Sequence, residues 1–298
     1  MHRFVFEHYP IRGHLVHLDA AWRALIEHRD YPDGVRALLG EAVAASLLLA
    51  ATIKFDGVLS LQLQGDGFVH LMLAQCTSGL GVRGLARYRE EESPAAASDP
   101  EAPVADLIGA GNLTVTLETD DGAQRYQGIV PISGERLAES LQGYFENSEQ
   151  LPTRLWLYAD AQGASGMLLQ RLPGEGASRV GVAEVDDAWR RVQLIGDTLT
   201  REELRTLTDL EILRRLFNED DLRVFEPSPV YFRCRCSRER VASMLQGLGD
   251  AETRGVLAER GEVEVRCDFC NRAYVFDAVD VERLFAAGAS SDGGGRVH

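Results

Sequence analysis

Apolar positions recur along the chain in two rhythms, and each predicts a different element. Residues 34–54 are apolar on nearly every side, a dense Ala and Leu run that predicts a helix packed on several faces. Val58-Leu59-Ser60-Leu61-Gln62-Leu63-Gln64 instead alternates with period two, the signature of a half-buried strand. Gly65-Asp66-Gly67 supplies a turn, and the apolar pattern resumes over 69–73. Alternation returns at 112–117, and Asp121-Gly122 is a hairpin signal leading into 126–132. Helical spacing follows over 133–147, then a strand over 154–158. Strands outnumber helices and short turns join them, so an α+β fold is expected rather than a doubly wound parallel sheet.

The pattern changes along the chain and suggests four parts. Residues 1–178 read as one mixed α+β core domain, interrupted at 91–103 by an Ala/Ser/Pro/acidic stretch expected to be a mobile loop. Residues 179–229 read as a helical, metastable connector. Thr200 with Glu203 and Thr208 with Glu211 are capping boxes at the head of short amphipathic helices, the second expected over 212–217. Glu226-Pro227-Ser228-Pro229 then stops the run. A small cysteine-bearing domain is expected over 230–286, and a Gly/Ser tail over 287–298 is expected to be disordered. No internal repeat is visible.

Composition narrows the function classes. A chain of 298 residues that is 45% hydrophobic can bury a full core, and its length suggests about two domains. Its net charge of −15 repels a phosphate backbone and an anionic bilayer, so neither nucleic acid nor membrane is an expected partner. Glu7 and His8 interrupt the N-terminal apolar residues, which excludes a signal-peptide pattern there. The most apolar stretch, residues 42–53, is shorter than the roughly 20 residues a bilayer requires and reads as a buried helix. A cytoplasmic protein is the expectation.

Four of the five cysteines fall within 37 residues: Cys234-Arg235-Cys236 and Cys267-Asp268-Phe269-Cys270. Two pairs of thiolates are the ligand set of a structural tetrahedral zinc site, with Zn–S of about 2.3 Å. The C-x2-C half is a common knuckle and weak alone; the C-x-C half is unusual. On an extended segment residues i and i+2 project to one side, so both sulfurs can reach one ion. Arg233, Arg235, Arg238, Arg266 and Arg272 flank the pairs and would offset the charge of a four-thiolate centre. Reduced cysteines without metal and a permanent zinc ribbon are the competing readings. In an extended strand the Cα atoms of a C-x-C pair lie roughly 6.5–7 Å apart, at the outer limit for a disulfide. Bridging them strains the backbone, and strained disulfides are labile. The pair therefore suits a site that is oxidised and reduced again.

These residues carry a family resemblance. The two cysteine pairs, with Ser237-Arg238-Glu239-Arg240-Val241 and Asn271 beside them, resemble the redox-regulated heat-shock chaperones known as the 33 kDa chaperonin family. Leu39-Gly40-Glu41, Lys54-Phe55-Asp56-Gly57, Gln64-Gly65-Asp66-Gly67, Gly128-Ile129-Val130, Tyr144-Phe145-Glu146-Asn147-Ser148-Glu149-Gln150-Leu151-Pro152-Thr153 and Arg215-Leu216-Phe217 are similar to further segments of that family, in the same order. The resemblance implies a protein that is not an enzyme but an ATP-independent holdase, inactive when reduced and bound to one zinc ion. Cys234, Cys236, Cys267 and Cys270 would be the zinc ligands. Oxidation by hypochlorite, or by peroxide with heat, would form the disulfides Cys234–Cys236 and Cys267–Cys270 and release zinc. The redox domain and connector would then unfold, and the protein would bind unfolding clients, as a dimer when active. Cys76 lies outside the family motif.

The remaining signals are weaker. Gly109-Ala110-Gly111 lacks the third glycine of a dinucleotide fingerprint, since Thr114 stands there, and reads as a turn. No G-x4-G-K-[ST] loop is present to cradle a nucleotide. His14 and His17 fall on opposite faces of an alternating segment and read as surface histidines. Cys76 reads as a small buried hydrophobe, and Ser148 as part of a helix end. Residues 231–285 hold nine Arg and ten acidic residues, which disfavours a zinc-ribbon nucleic-acid binder. A thiol oxidoreductase would use one C-x2-C without a C-x-C partner.

Overall fold

In a computed structural model that describes residues 1–122, 125–173 and 181–286, the chain separates into two units, the first ending at Arg233 and the second beginning at Cys234. The first unit opens with β1 (His2–Phe6), β2 (Ile11–Leu18), α1 (Ala20–Ile26) and a long α2 (Asp33–Thr52). A meander follows: β3 (Gly57–Gly65), β4 (Val69–Thr77) and β5 (Gly81–Tyr88). Next come α3 (Ala95–Ser98), α4 (Val104–Ile108), β6 (Gly111–Thr119), β7 (Arg125–Pro131), α5 (Leu137–Tyr144) and a π-helical turn at Phe145–Glu149. Strands β8 (Thr153–Ala159) and β9 (Ala164–Arg171) precede α6 (Val182–Gly196), α7 (Arg201–Thr206) and α8 (Asp209–Phe217), and β10 (Leu222–Val224) and β11 (Tyr231–Phe232) end the unit. One sheet runs β10-β1-β2-β9-β8 and is antiparallel throughout. The other runs β11-β5-β4-β3-β6-β7 and is antiparallel except where β11 joins β5. Antiparallel sheets with separate helices bear out the α+β expectation.

Helix α2 organises the main core. Pro32 precedes it, and Asp33 places a negative charge in its first turn, where the helix dipole favours one. Small residues let it approach strands of both sheets: a Cβ on Gly40 would stand 2.3 Å from that of Ala159. Leu39, Val43, Leu47 and Leu48 are wholly buried. The helix runs over 20 residues, close to the 34–54 expected, and by length and composition it could cross a bilayer; instead 89% of its apolar window is buried inside this fold.

The five-stranded sheet is apolar on both faces, which explains the unbroken burial of β9. Val16, Leu18 and Leu168 face the α2 core. Phe4, Phe6, Ile11, Leu15, Met167 and Leu169 face the other way and meet Trp189, Val192, Leu204, Ile212, Leu213 and Phe217 from α6, α7 and α8. Both capping boxes form: Thr200 Oγ1 accepts from the Glu203 amide at 3.2 Å, and Glu203 and Glu211 each accept from the amide of their own threonine cap at 2.9 Å. Helix α8 starts at Asp209, three residues earlier than its apolar pattern predicted, because Thr208 is the cap.

Three expectations need correction. The 91–103 stretch is not simply a loop, since it contains α3 and its Ala97 is buried. The helix expected over 133–147 starts only at Leu137 and widens into the π turn, which Gln150 ends at a φ of 53°. His14 is buried and His17 half-buried, so neither is a surface histidine: β2 is covered on both faces. The two glycine turns do exist, and they pack on each other. Gly109 has a φ of 72°, and a Cβ there would stand 2.3 Å from Asp66 Oδ1, which accepts from the Ala110 amide. The tail at 287–298 lies outside the described residues. Replacing Leu47, wholly buried on α2, by Ala should lower unfolding free energy by about 2–5 kcal/mol in urea denaturation. A loss under about 1 kcal/mol would show that α2 is not the centre of the core.

Candidate metal centre

The second unit contains α9 (Arg238–Leu248), α10 (Asp250–Arg260), the hairpin β12 (Val263–Arg266) and β13 (Ala273–Phe276), and α11 (Ala278–Ala286). Ser237 caps α9, its hydroxyl accepting from the Arg240 amide at 3.3 Å. This fixes the chain direction immediately after Cys236. The second cysteine pair occupies the turn of the β12–β13 hairpin. There the Asn271 amide donates to Cys267 O at 2.8 Å and the Cys267 amide to Arg272 O at 3.0 Å. Asn271 has a φ of 54°, a left-handed conformation that Asn tolerates and that closes the turn.

These two frames bring all four sulfurs together. Cys234 Sγ lies 3.3 Å from Cys236 Sγ and 3.6 Å from Cys267 Sγ, and Cys236 Sγ lies 3.4 Å from Cys270 Sγ. All four ligand atoms lie within 4.8 Å of one another. Sulfurs held 2.3 Å from a tetrahedral ion stand about 3.8 Å apart, so the spacing fits a single metal. Four soft thiolates favour zinc or an iron–sulfur centre over hard, oxygen-seeking cations. Among the described residues this is the one His/Cys/Asp/Glu group with such geometry. Cys76 sits apart in β4, fully buried, where burial pushes its thiol up to about 12.

A residue that the sequence reading overlooked completes the centre. The Tyr274 hydroxyl on β13 donates to Cys236 Sγ at 3.1 Å. Burial works to raise the Cys236 thiol, but the hydrogen bonds from Tyr274 and the neighbouring thiols outweigh it and bring it down to about 7. Burial raises Cys234 and Cys270. The signal for Tyr274 was available: it alternates with Phe276 on a short strand, and that face is buried. The arginine reading also needs sorting. Arg238 pairs with Asp280 at 2.6 Å and lies over the Phe276 ring, and Arg266 pairs with Glu264 at 2.5 Å. Arg272 is the one whose charge is coupled to Tyr274, Cys236 and Cys270.

Among the described residues the apolar core of this unit is small, and partly buried Val256, Leu257, Leu284 and Phe285 pack against it. Its buried apolar cluster is Val241, Leu245, Val263, Tyr274, Phe276 and Val281, with Cys236 and Cys267 packed against it.

Comparison with known proteins identifies the family. A family model described as Hsp33 protein matches residues 1–277. The chain is 44% identical over 286 residues to the 33 kDa chaperonin of Methylobacillus flagellatus, covering 96% of this chain and 94% of that one. It is 47% identical over 285 residues to the 33 kDa chaperonin of Nitrosococcus oceani, covering 96% and 93%. The crystal structure of the 33 kDa chaperonin from Thermotoga maritima superposes with a TM-score of 0.79 over 97% of this chain and 99% of that one; at 23% identity it speaks for the fold alone. The relatives carry the name of a chaperone and not of an enzyme. By the family match along nearly its whole length, the chain belongs to the Hsp33 family.

Proposed function

We propose that this chain is an ATP-independent holdase switched by oxidation of the four-cysteine centre. The convergence of four sulfurs, from two short segments, in a unit with six buried apolar side chains among its described residues supports this reading most directly. The ligands are Cys234, Cys236, Cys267 and Cys270, and the ion is zinc. Bound zinc supplies a redox-inert tetrahedral cross-link between the C-x-C segment and the hairpin turn. Structural zinc contributes on the order of 10–16 kcal/mol in small domains, as much as the usual 5–15 kcal/mol stability of a whole fold.

Oxidation removes the ligands as pairs. Forming each S–S bond withdraws two electrons from a pair of thiolates; one peroxide accepts them as its O–O bond breaks and, with two protons, leaves as two waters. The resemblance assigns the bonds to Cys234–Cys236 and Cys267–Cys270. Sulfur spacing alone does not choose them, since Cys234–Cys267 and Cys236–Cys270 stand nearly as close. With the cross-link gone, six buried side chains hold the second unit poorly, and it unfolds together with the connector over 179–229. Helices α6, α7 and α8 lie in that connector and cover one apolar face of the five-stranded sheet. Their release presents Phe4, Phe6, Ile11, Leu15 and Met167, with the apolar sides of the helices, to unfolding clients. Such binding gains roughly 25 cal/mol per Å² of apolar area and is indifferent to client sequence. The net charge of −15 keeps the open form soluble. The family resemblance adds a dimeric active form, and the apolar pattern of the chain adds a cytoplasmic location.

Reduced protein should carry one zinc ion per chain by elemental analysis, and Cys234→Ser or Cys267→Ser should weaken its retention against a chelator. Zinc-free reduced protein, or unchanged retention in both variants, would refute the assignment. Oxidised, zinc-free protein should suppress the light scattering of a heat-unfolding client without nucleotide, whereas the reduced form should not. Peptide maps of that oxidised form should show Cys234–Cys236 and Cys267–Cys270, with Cys76 free. Equal suppression by both forms defeats the switch; mainly crossed disulfides defeat the pairing alone.

A further inference from the structure

Asp209 begins α8 and is only 8% exposed. Two imidazoles reach it from the adjacent sheet. His2 Nδ1 on β1 lies 2.5 Å from Asp209 Oδ2, and His17 Nδ1 on β2 lies 2.5 Å from Oδ1. The other ring nitrogen of His17, Nε2, lies 2.7 Å from the carbonyl oxygen of Leu204 on α7. A neutral imidazole has one donor nitrogen and one acceptor nitrogen. A carboxylate oxygen and a carbonyl oxygen only accept. Both contacts of His17 are therefore hydrogen bonds only when both nitrogens carry protons. We infer that His17, as an imidazolium bridging Asp209 and the Leu204 carbonyl, is a proton-dependent clasp that holds α7 and α8 against the sheet and opens as pH rises.

The surrounding charges agree. Burial works against the charge on His17, but the hydrogen bond and charge of Asp209, the Leu204 carbonyl and Asp19 outweigh it, so the ring titrates above its ordinary 6.5. Burial likewise opposes the charge on Asp209, and the two imidazoles hold its carboxyl below the ordinary value. The Met1 amino group, which donates to Ser228 O at 3.0 Å, also feels Asp209 and is lowered chiefly by burial. Asp19, Arg23, Tyr158 and Arg205 line the small cavity beside His17. On α8 itself Glu211 is held in the Thr208 cap. The folded state binds its proton more tightly than the open state does. The clasp is therefore fully closed below about pH 6.5 and is lost as pH rises through the raised folded value. Loss of the proton leaves one of the two oxygens facing a lone pair.

The clasp would give the connector a second trigger, and that bearing on chaperone action rests on the proposed function; the clasp itself does not. The test uses full-length reduced protein with metal content followed in parallel. The His17 ring is titrated by NMR, and amide exchange of residues 209–217, corrected for intrinsic rates, is followed from pH 6 to 9. The expected result is a His17 midpoint above 6.5. In the wild type the local opening equilibrium should rise by up to about tenfold per pH unit beyond 6.5 before levelling. His17→Gln, which keeps a neutral donor toward Asp209, should show no such rise. A His17 midpoint at or below 6.5, or equal pH dependence in wild type and variant, would overturn the clasp. Absence of zinc would defeat the metal reading while leaving this result standing, and the converse also holds.

Discussion

Four sulfur atoms within 4.8 Å of one another, close enough to hold one metal ion, are the tightest constraint among the described residues of the second unit. A unit of this size buries too small a share of its surface for apolar burial alone to hold it securely. Here the buried cluster is six side chains, and one of them, Tyr274, is also tied by its hydroxyl to a sulfur. Packing and ligation are thus coupled through a single strand: Phe276 and Tyr274 fill the core, and the turn leading into that strand carries Cys267 and Cys270. Anything that alters the sulfurs acts on the core directly.

The first unit is built on the opposite principle. Helix α2 is covered on nearly all sides, and its cluster extends into both sheets. The five-stranded sheet separates that cluster from a second one beneath α6, α7 and α8. Each of the two short helices α7 and α8 carries its own threonine cap, so neither depends on a neighbouring helix to start. The helices could leave the outer face while α2 and its strands stay packed. Partial opening of this kind follows the boundary between two apolar clusters.

Much of this was legible in the sequence, for identifiable reasons. Period-two alternation located β3, β6 and β8, the caps located α7 and α8, and the cysteine spacing located the four sulfurs that lie close enough to hold a metal ion. What escaped reading depended on partners distant in sequence. His17 looked like a surface residue because nothing near it announces Asp209, 192 residues away. Arg238 and Arg266 looked like counter-charges to thiolates, but each has a carboxylate partner. Helix α2 was legible over 34–54 and runs over Asp33–Thr52, but its apolar run did not say that strands of two sheets bury it. Alternation shows which face is buried, not what covers it.

Polar groups are buried where the helical segment meets the rest of the first unit. Asp209 is almost fully buried against two histidines. Glu41 on α2 is also 8% exposed, and burial pushes its carboxyl up to about 7 despite Arg201 and Arg136. It lines a cavity of about 460 Å³ to which Leu199, Arg201 and Leu204 of the segment contribute. Withdrawing an ion from water costs several kcal/mol, and ion pairing repays that only where the geometry is very good. The apolar contacts of Trp189, Ile212 and Phe217 favour docking, while Glu41 and Asp209 regain water when the segment lifts. These opposing terms narrow the stability of the docked helices, and the cost of burying Glu41 falls on α2 as well. A segment balanced in this way can respond to a small change in its ties, such as one proton on His17.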